Sequence, residues 1–253
     1  MPEKTYTFKS INDIQNTSWE RVAGYTIFFG HQSVGYNIID GIQDILNENK
    51  NGNIHLNIVE TADAEDFTAP VFAHARVGTN TQPISKVDAF ARVIKDGIGS
   101  KADIAFFKLC YVDFDAESNV HKVFDYYKTK MAELKKRYPR LTFVHVTVPL
   151  TTCQTGLKAA VKKILGRSLW GYEDNIKRNQ FNDLLRKQYS EDNLLFDLAL
   201  IESTFPDGTR NVQKKDSQSF YALVPEYTDD GGHLNEKGRR IVAEQLLVFL
   251  AGL

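Results

Sequence analysis

The 253-residue sequence predicts an α/β fold, a three-layer sandwich around a parallel sheet of five strands. Short apolar runs of strand length alternate along the chain with longer segments of helical periodicity. Strands joined by helices form right-handed crossovers, and such crossovers produce parallel sheets. The length suits one sizeable domain, and we assign residues 1–253 to it.

The predicted strands are short segments rich in Ile, Val, Leu and Phe, as strands buried on both faces usually are. They cover residues 25–29, 54–59, 104–109, 141–148 and 194–196. The predicted helices cover residues 34–49, 84–95, 117–138, 175–189 and 236–250. Pro139 ends the third helix, because a proline disfavours helical geometry in the residue before it. Asn235 is suited to cap the last helix. The polar stretch between the second strand and the second helix is predicted as a loop.

Several reactive side chains follow directly after predicted strands. Ser33 comes after the first strand, residues 110–113 after the third, and His233 in the long loop after the fifth. Gly78 lies in the predicted loop after the second strand. Ligands of parallel sheets bind beyond the carboxyl ends of the strands. The sequence therefore predicts that these residues share one rim, with Ser33 and His233 within hydrogen-bond reach.

The residue types on this rim are those of a nucleophilic hydrolase. Residues 30–35 read Gly-His-Gln-Ser-Val-Gly, a turn that would expose Ser33 at a helix N-terminus. Residues 230–233 read Asp-Gly-Gly-His, so that Asp230 and His233 can turn to the same side. A serine needs a base to take its proton, and an imidazole serves best when a carboxylate fixes its tautomer. Taken singly, Ser33 could be a helix cap and Asp230 a turn residue.

The chain resembles the SGNH, or GDSL-type, hydrolase superfamily, which has a flavodoxin-like fold. The Asp-x-x-His block of that family matches residues 230–233, and its Gly-Asp-Ser block corresponds to the longer Gly-His-Gln-Ser of residues 30–33. Residues 102–107 and 146–149 are similar to its third strand and to the exit of its fourth. The resemblance implies a serine esterase that acts through an acyl-enzyme. Its substrates would be small O-acyl esters, such as acetylated carbohydrates, or short-chain or lipid esters.

The resemblance also implies an oxyanion hole, and here the chain departs from the family. The family block Gly-x-Asn-Asp aligns with residues 110–113, where Val112 replaces the hydrogen-bonding Asn. The backbone N–H groups of Ser33 and Gly78 and the side chain of Asn80 are the expected donors. Gln32, Tyr111 and Lys108 remain open as alternatives to Asn80.

Other features have two interpretations each. His31, Gln32 and Tyr111 are candidates for substrate contact, although a structural role is favoured for His31, as for His74 and Arg76. The long segments 151–174 and 202–229 either shape access to the rim or pack their own aromatic side chains.

Composition and motifs exclude several classes of function. With 31 basic and 32 acidic residues, the chain has no bulk charge for binding nucleic acid. No apolar run reaches the length of a membrane span, and no metal-ligand spacing or cofactor motif occurs. The N-terminal residues do not have the pattern of a signal peptide, and the compartment and oligomeric state stay open. A catalytically degenerate binding protein and an O-acyltransferase are the alternatives to the esterase.

Overall fold

The computed structural model describes residues 6–49, 55–154 and 170–253. Six strands of this part form the central sheet: β1 (Thr26–His31), β2 (Ile58–Glu60), β3 (Val71–Arg76), β4 (Ile104–Phe107), β5 (Thr142–Val146) and β6 (Leu195–Phe196). Their order across the sheet is β2-β3-β1-β4-β5-β6, and all neighbouring strands are parallel. A separate antiparallel hairpin joins β7 (Val212–Lys215) to β8 (Gln218–Tyr221).

The prediction of five strands is wrong by one, because β3 lies in the stretch predicted as a loop. Its sequence is Val-Phe-Ala-His-Ala-Arg, in which the polar His74 and Arg76 interrupt the apolar run. His74 is nevertheless buried, since β3 pairs with strands on both sides. His74 and Arg76 therefore belong to a strand and not to the loop of Gly78. The predicted second strand is shortened to β2, and its first residue, Ile54, lies outside the described residues.

Seven helices of the described residues are α1 (Asn16–Gly24), α2 (Ser33–Glu48), α3 (Pro83–Val93), α4 (Val120–Arg137), α5 (Tyr172–Tyr189), α6 (Leu198–Glu202) and α7 (Glu236–Ala251). A π-helical turn, Ile94–Ile98, and one short helical turn, Gly99–Lys101, extend α3. Single 3₁₀ turns lie at Ile11–Asp13, Ala64–Asp66, Tyr111–Asp113 and Pro225–Tyr227. The five predicted helices are confirmed, with ends shifted by up to three residues, whereas α1 and α6 were not predicted.

Two apolar cores, one on each face of the sheet, confirm the three-layer sandwich. The α2, α6 and α7 helices cover one face, and α3, α4 and α5 cover the other. Neighbouring residues of β1 point to opposite cores, so that Phe28 packs on the α3 side and Phe29 on the α2 side. This double burial explains why the strands appear in the sequence as continuous apolar runs.

The crossing of α2 and α7 brings the two ends of the chain together. At Gly41 of α2, a Cβ atom would lie 2.4 Å from the backbone oxygen of Arg239 of α7, so only glycine permits this approach. Ser33 is the first residue of α2, and His233 precedes the Asn235 cap of α7. The tight crossing therefore holds the N-terminal ends of both helices side by side at the rim.

None of the helices in the described ranges has an apolar stretch of the length needed to cross a bilayer.

Candidate active site

Ser33, His233 and Asp230 form a hydrogen-bonded line at the carboxyl end of the sheet. The Nε2 atom of His233 lies 2.9 Å from the Oγ of Ser33, although the two residues are 200 positions apart in the chain. The Nδ1 atom of the same ring lies 2.6 Å from Oδ2 of Asp230. The contacts expected from a shared rim are therefore present. A carboxylate acceptor keeps the proton on Nδ1 and leaves the Nε2 lone pair for the serine hydroxyl.

The second carboxylate oxygen of Asp230 fixes the loop that carries His233. Oδ1 accepts the backbone N–H groups of Gly232 and His233 at 2.9 and 2.8 Å. Partial burial acts to raise the pKa of Asp230, but the hydrogen bonds from the His233 ring and these N–H groups outweigh it. The resulting pKa is well below the usual range of an aspartate, so the carboxylate stays ionised opposite the imidazole.

Ser33 lies where β1 passes into α2. As the first helical residue, it has a backbone N–H with no helical partner, and that N–H donates to no protein acceptor among the described residues. The amide of the preceding Gln32 donates to the carbonyl oxygens of Val77 and Gly78, at 3.0 and 2.9 Å. Both of its donors are thus occupied, which removes Gln32 as a substitute for the missing oxyanion donor. Gln32 instead ties the nucleophile turn to the loop of Gly78.

That loop follows β3 and presents the other proposed donors. Gly78 has φ +63°, and a Cβ there would lie 2.5 Å from the Cα of Lys86, so both its conformation and its surroundings require glycine. The Gly78 N–H donates to no acceptor in the described part of the chain. Asn80 accepts a hydrogen bond from Lys86 through Oδ1, at 2.9 Å, which leaves its Nδ2 for another partner.

Three residues near the third family block take different positions. Val112 is exposed, at 38 %, and offers no donor. The hydroxyl of Tyr111 lies 3.4 Å from Nε2 of His233, on the reactive side of the imidazole. Burial, together with the charge of Asp230, raises the pKa of Tyr111, so its hydroxyl keeps its proton. Lys108 is completely buried, with its ammonium 3.7 Å from the Cys110 sulfur, and is therefore out of reach of a bound substrate.

His31 is fully buried, which contradicts its assignment to substrate contact. Its Nδ1 lies 2.8 Å from the carbonyl oxygen of Gln32, and its Nε2 lies 3.0 Å from Nδ1 of His74. Burial lowers the pKa of His31 to about 3, so the ring is neutral. Because a carbonyl can only accept, the proton of His31 lies on Nδ1, and His74 donates to its Nε2. The pair supports the turn before Ser33, in agreement with the structural role favoured for both residues.

Sequence analysis missed a set of buried polar residues on α5. They recur at helical spacing: Asn175, Arg178 and Asn182 face the chain that leaves β5, and Asn179 faces β8, where it bonds the backbone of Tyr221. Asn182 and Asn175 bond the backbone of Val148 and Thr151 in the manner of a neighbouring strand. Their i, i+3, i+4, i+7 spacing on a predicted helix is the signal that could have revealed them.

Arg178 connects this set to the candidate site. Its Nε donates to the backbone oxygen of Tyr111 at 2.8 Å, and its Nη1 donates to Thr151. The backbone N–H of Thr152 in turn donates to the carbonyl of Gly231, between Asp230 and His233, at 2.9 Å. The buried face of α5 therefore holds the loops on two sides of the imidazole. Most of the predicted access segment 151–174, residues 155–169, lies outside the described residues, and segment 202–229 contains the β7–β8 hairpin.

Comparisons with known proteins agree with this architecture. The family model for GDSL-like lipase/acylhydrolase matches residues 10–246. A GDSL-like lipase from Bacteroides thetaiotaomicron is similar in structure, with a TM-score of 0.51, 13 % identity and coverage of 94 % of this chain and 100 % of the other. A protein assigned to the G-D-S-L lipolytic family from Desulfitobacterium hafniense has a TM-score of 0.50 and 9 % identity, with 89 % and 99 % covered.

At these identities, the two structures support the fold alone. A comparison with curated protein sequences finds no match. The family match spans nearly the whole chain and includes both Ser33 and His233. This chain therefore belongs to the GDSL-like lipase/acylhydrolase family.

Proposed function

We propose that the protein is a serine esterase that cleaves small O-acyl esters through an acyl-enzyme. The observation that carries this proposal is the line of contacts from Asp230 through His233 to Ser33. Ser33 is half-buried, and its hydroxyl already donates toward a ring nitrogen whose tautomer is fixed. An ester that reaches this hydroxyl would meet a nucleophile and its base already in position.

The reaction proceeds in two halves. Ser33 Oγ attacks the ester carbonyl carbon while His233 Nε2 takes the hydroxyl proton. The imidazolium then gives that proton to the departing alkoxide, so the alcohol leaves and the acyl group remains on Ser33. In the second half, a water molecule loses a proton to Nε2 and attacks the acyl carbon. The bond from that carbon to Ser33 Oγ then breaks, the imidazolium returns the proton to Oγ, and the carboxylic acid is released.

The negative charge that develops on the carbonyl oxygen needs hydrogen-bond donors. We assign this role to the N–H groups of Ser33 and Gly78 and to Nδ2 of Asn80. Two facts support the assignment: none of these donors is bonded to a protein acceptor among the described residues, and Gln32 binds the two loops that carry them together. Loss of one such donor typically costs about 3–4 kcal/mol of transition-state stabilisation.

Acetylated carbohydrates are the substrates that we favour within this class. Trp170 is 48 % exposed, and its ring lies against Gly231, where a Cβ would be 2.7 Å from Cη2 of the indole. An exposed indole beside the catalytic loop gives a flat apolar surface on which the C–H face of a sugar ring could stack. Short-chain and lipid esters would use the same surface less specifically.

Hydrolysis of p-nitrophenyl acetate tests the esterase proposal. Ser33→Ala should lose activity above background while its circular dichroism spectrum stays that of the wild type. Ser219→Ala, at an exposed position of β8, is the matched control and should retain full activity. Equal rates for wild type and Ser33→Ala would contradict the proposal.

Two other outcomes correspond to the alternative functions. A degenerate binding site would lack an oxyanion donor of the family, as this chain does where Val112 replaces the Asn. A wild type without esterase activity would favour that interpretation. Faster p-nitrophenol release when an alcohol acceptor is added, with formation of the acceptor's ester, would favour an acyltransferase.

A further inference from the structure

Lys86 is a buried lysine that takes no part in the proposed catalytic steps. It lies on α3 with no exposed surface, which is rare for lysine because burial of an ammonium group costs solvation free energy. Its Nζ lies 2.8 and 2.7 Å from the two carboxylate oxygens of Asp113 and 2.9 Å from Oδ1 of Asn80. All three ammonium protons therefore have acceptors. One of these acceptors, Oδ1 of Asn80, belongs to the amide whose Nδ2 is the proposed oxyanion donor.

The carboxylate of Asp113 joins the two loops on either side of this ammonium. Oδ1 also accepts the backbone N–H of Thr81 at 2.9 Å, and Oδ2 accepts that of Cys110 at 2.7 Å. Thr81 has φ +67°, a left-handed conformation that is unusual for a β-branched residue. Such a conformation persists only where the surroundings stabilise it. Here the hydrogen bond to Asp113 stabilises Thr81, the residue that follows Asn80.

The ammonium also decides which way the amide of Asn80 points. A lysine can only donate, so the atom of the amide that faces Lys86 must be the oxygen. The NH₂ group then lies on the other side, where no acceptor among the described residues contacts it. The backbone of Lys86 in addition packs against Gly78, whose N–H is a second proposed donor.

We propose that Lys86 is a positioning residue that fixes the Asn80 amide as an oxyanion donor and so compensates for Val112. The inference rests on the proposed esterase function. In the family block, the donating Asn directly precedes the aspartate. Here Val112 precedes Asp113, and Lys86 links the same aspartate to an amide on the neighbouring loop.

A double-mutant cycle on kcat tests this connection. Asn80→Ala should lower kcat for p-nitrophenyl acetate by roughly a hundredfold or more, with little change in KM. Lys86→Met should give a similar loss of kcat. The double variant should be no slower than the slower single variant, because both substitutions disable the same donor, the Asn80 amide. Lys95→Met, at an exposed lysine in the π-helical turn after α3, is the control and should match the wild type.

Multiplying losses in the double variant would overturn the proposal, since they would mean that Lys86 acts independently of Asn80. An unchanged kcat in Asn80→Ala would overturn it as well, while leaving the esterase function in place. An inert wild type would overturn the proposed function and this inference together.

Lys86→Met leaves the carboxylate of Asp113 buried without its counter-charge and can therefore prevent folding. Asn80→Asp provides a test that leaves the buried pair intact, because position 80 is exposed. If Lys86 binds one oxygen of the new carboxylate, the other faces the developing oxyanion. Asn80→Asp should then have a lower kcat than Asn80→Ala. A kcat equal to or above that of Asn80→Ala would overturn the proposal.

Discussion

Asp230→Asn changes the proton arrangement of the proposed triad while keeping its shape. In the structure, Oδ1 of Asp230 accepts two backbone N–H groups, and Oδ2 faces the imidazole at 2.6 Å. An asparagine would keep its oxygen toward the backbone donors and would place its NH₂ group against Nδ1 of His233. The ring must then carry its proton on Nε2, which would donate to Ser33 instead of accepting its proton.

The expected loss follows from the environment of the carboxylate. Where a buried aspartate of such a triad is changed in this way, kcat falls about 10⁴-fold. The side chain of Asp230 is 56 % exposed, so water can partly take over its role at Nδ1. We therefore expect a smaller loss of about a thousandfold, equivalent to ~4 kcal/mol in the activation free energy.

The assay is the kcat of p-nitrophenyl acetate hydrolysis at neutral pH. Asp229→Asn is the matched control, because Asp229 lies in the same loop and accepts from the side chain of Asn235 and not from His233. Asp229→Asn should retain at least half of the wild-type rate. A kcat for Asp230→Asn within tenfold of the wild type would refute the tautomer argument.

Two further predictions concern stability. Gly78→Ala would force a Cβ atom to within 2.5 Å of the Cα of Lys86 at φ +63°, and we expect a loss of about 1–3 kcal/mol in urea unfolding together with a lower kcat; unchanged stability and activity would contradict this. Burial raises the pKa of Glu202 to about 8, so the folded protein keeps a proton there that the unfolded chain releases. The free energy of unfolding should therefore keep this full contribution below the ordinary glutamate pKa and lose it as the pH rises to about 8, and Glu202→Gln should remove up to about 5 kcal/mol of this decrease. Parallel stability–pH curves for wild type and Glu202→Gln would exclude this origin.

The shared rim could be predicted from the sequence because it follows from topology. In a parallel sheet every strand exit lies at the same edge, so Ser33 and His233 meet even though they are far apart in the chain. The three layers likewise follow from apolar runs that alternate with helical periodicity. Strand β3 was not predicted because His74 and Arg76 interrupt its apolar run, and the burial of His74 between two paired strands is not visible in the periodicity of the sequence.

Buried polar residues set the limit of prediction for the candidate site. Lys86 looks like a surface lysine on a helix, and only the position of Asp113 in the folded chain gives it a counter-charge. Gln32 looks like a free donor, although tertiary contacts occupy both of its amide protons. In each case the residue type is visible in the sequence, but its partner comes from a different strand exit.

Fluorophosphonate labelling followed by intact-protein mass spectrometry is the most direct test of Ser33 as an activated nucleophile. The probe reacts with a serine hydroxyl only when a base such as His233 takes its proton. The wild type should gain the mass of one adduct, which peptide mapping should locate on Ser33, and Ser33→Ala should gain none. A wild type that hydrolyses esters without labelling at Ser33, or a Ser33→Ala variant that labels equally well, would contradict the account.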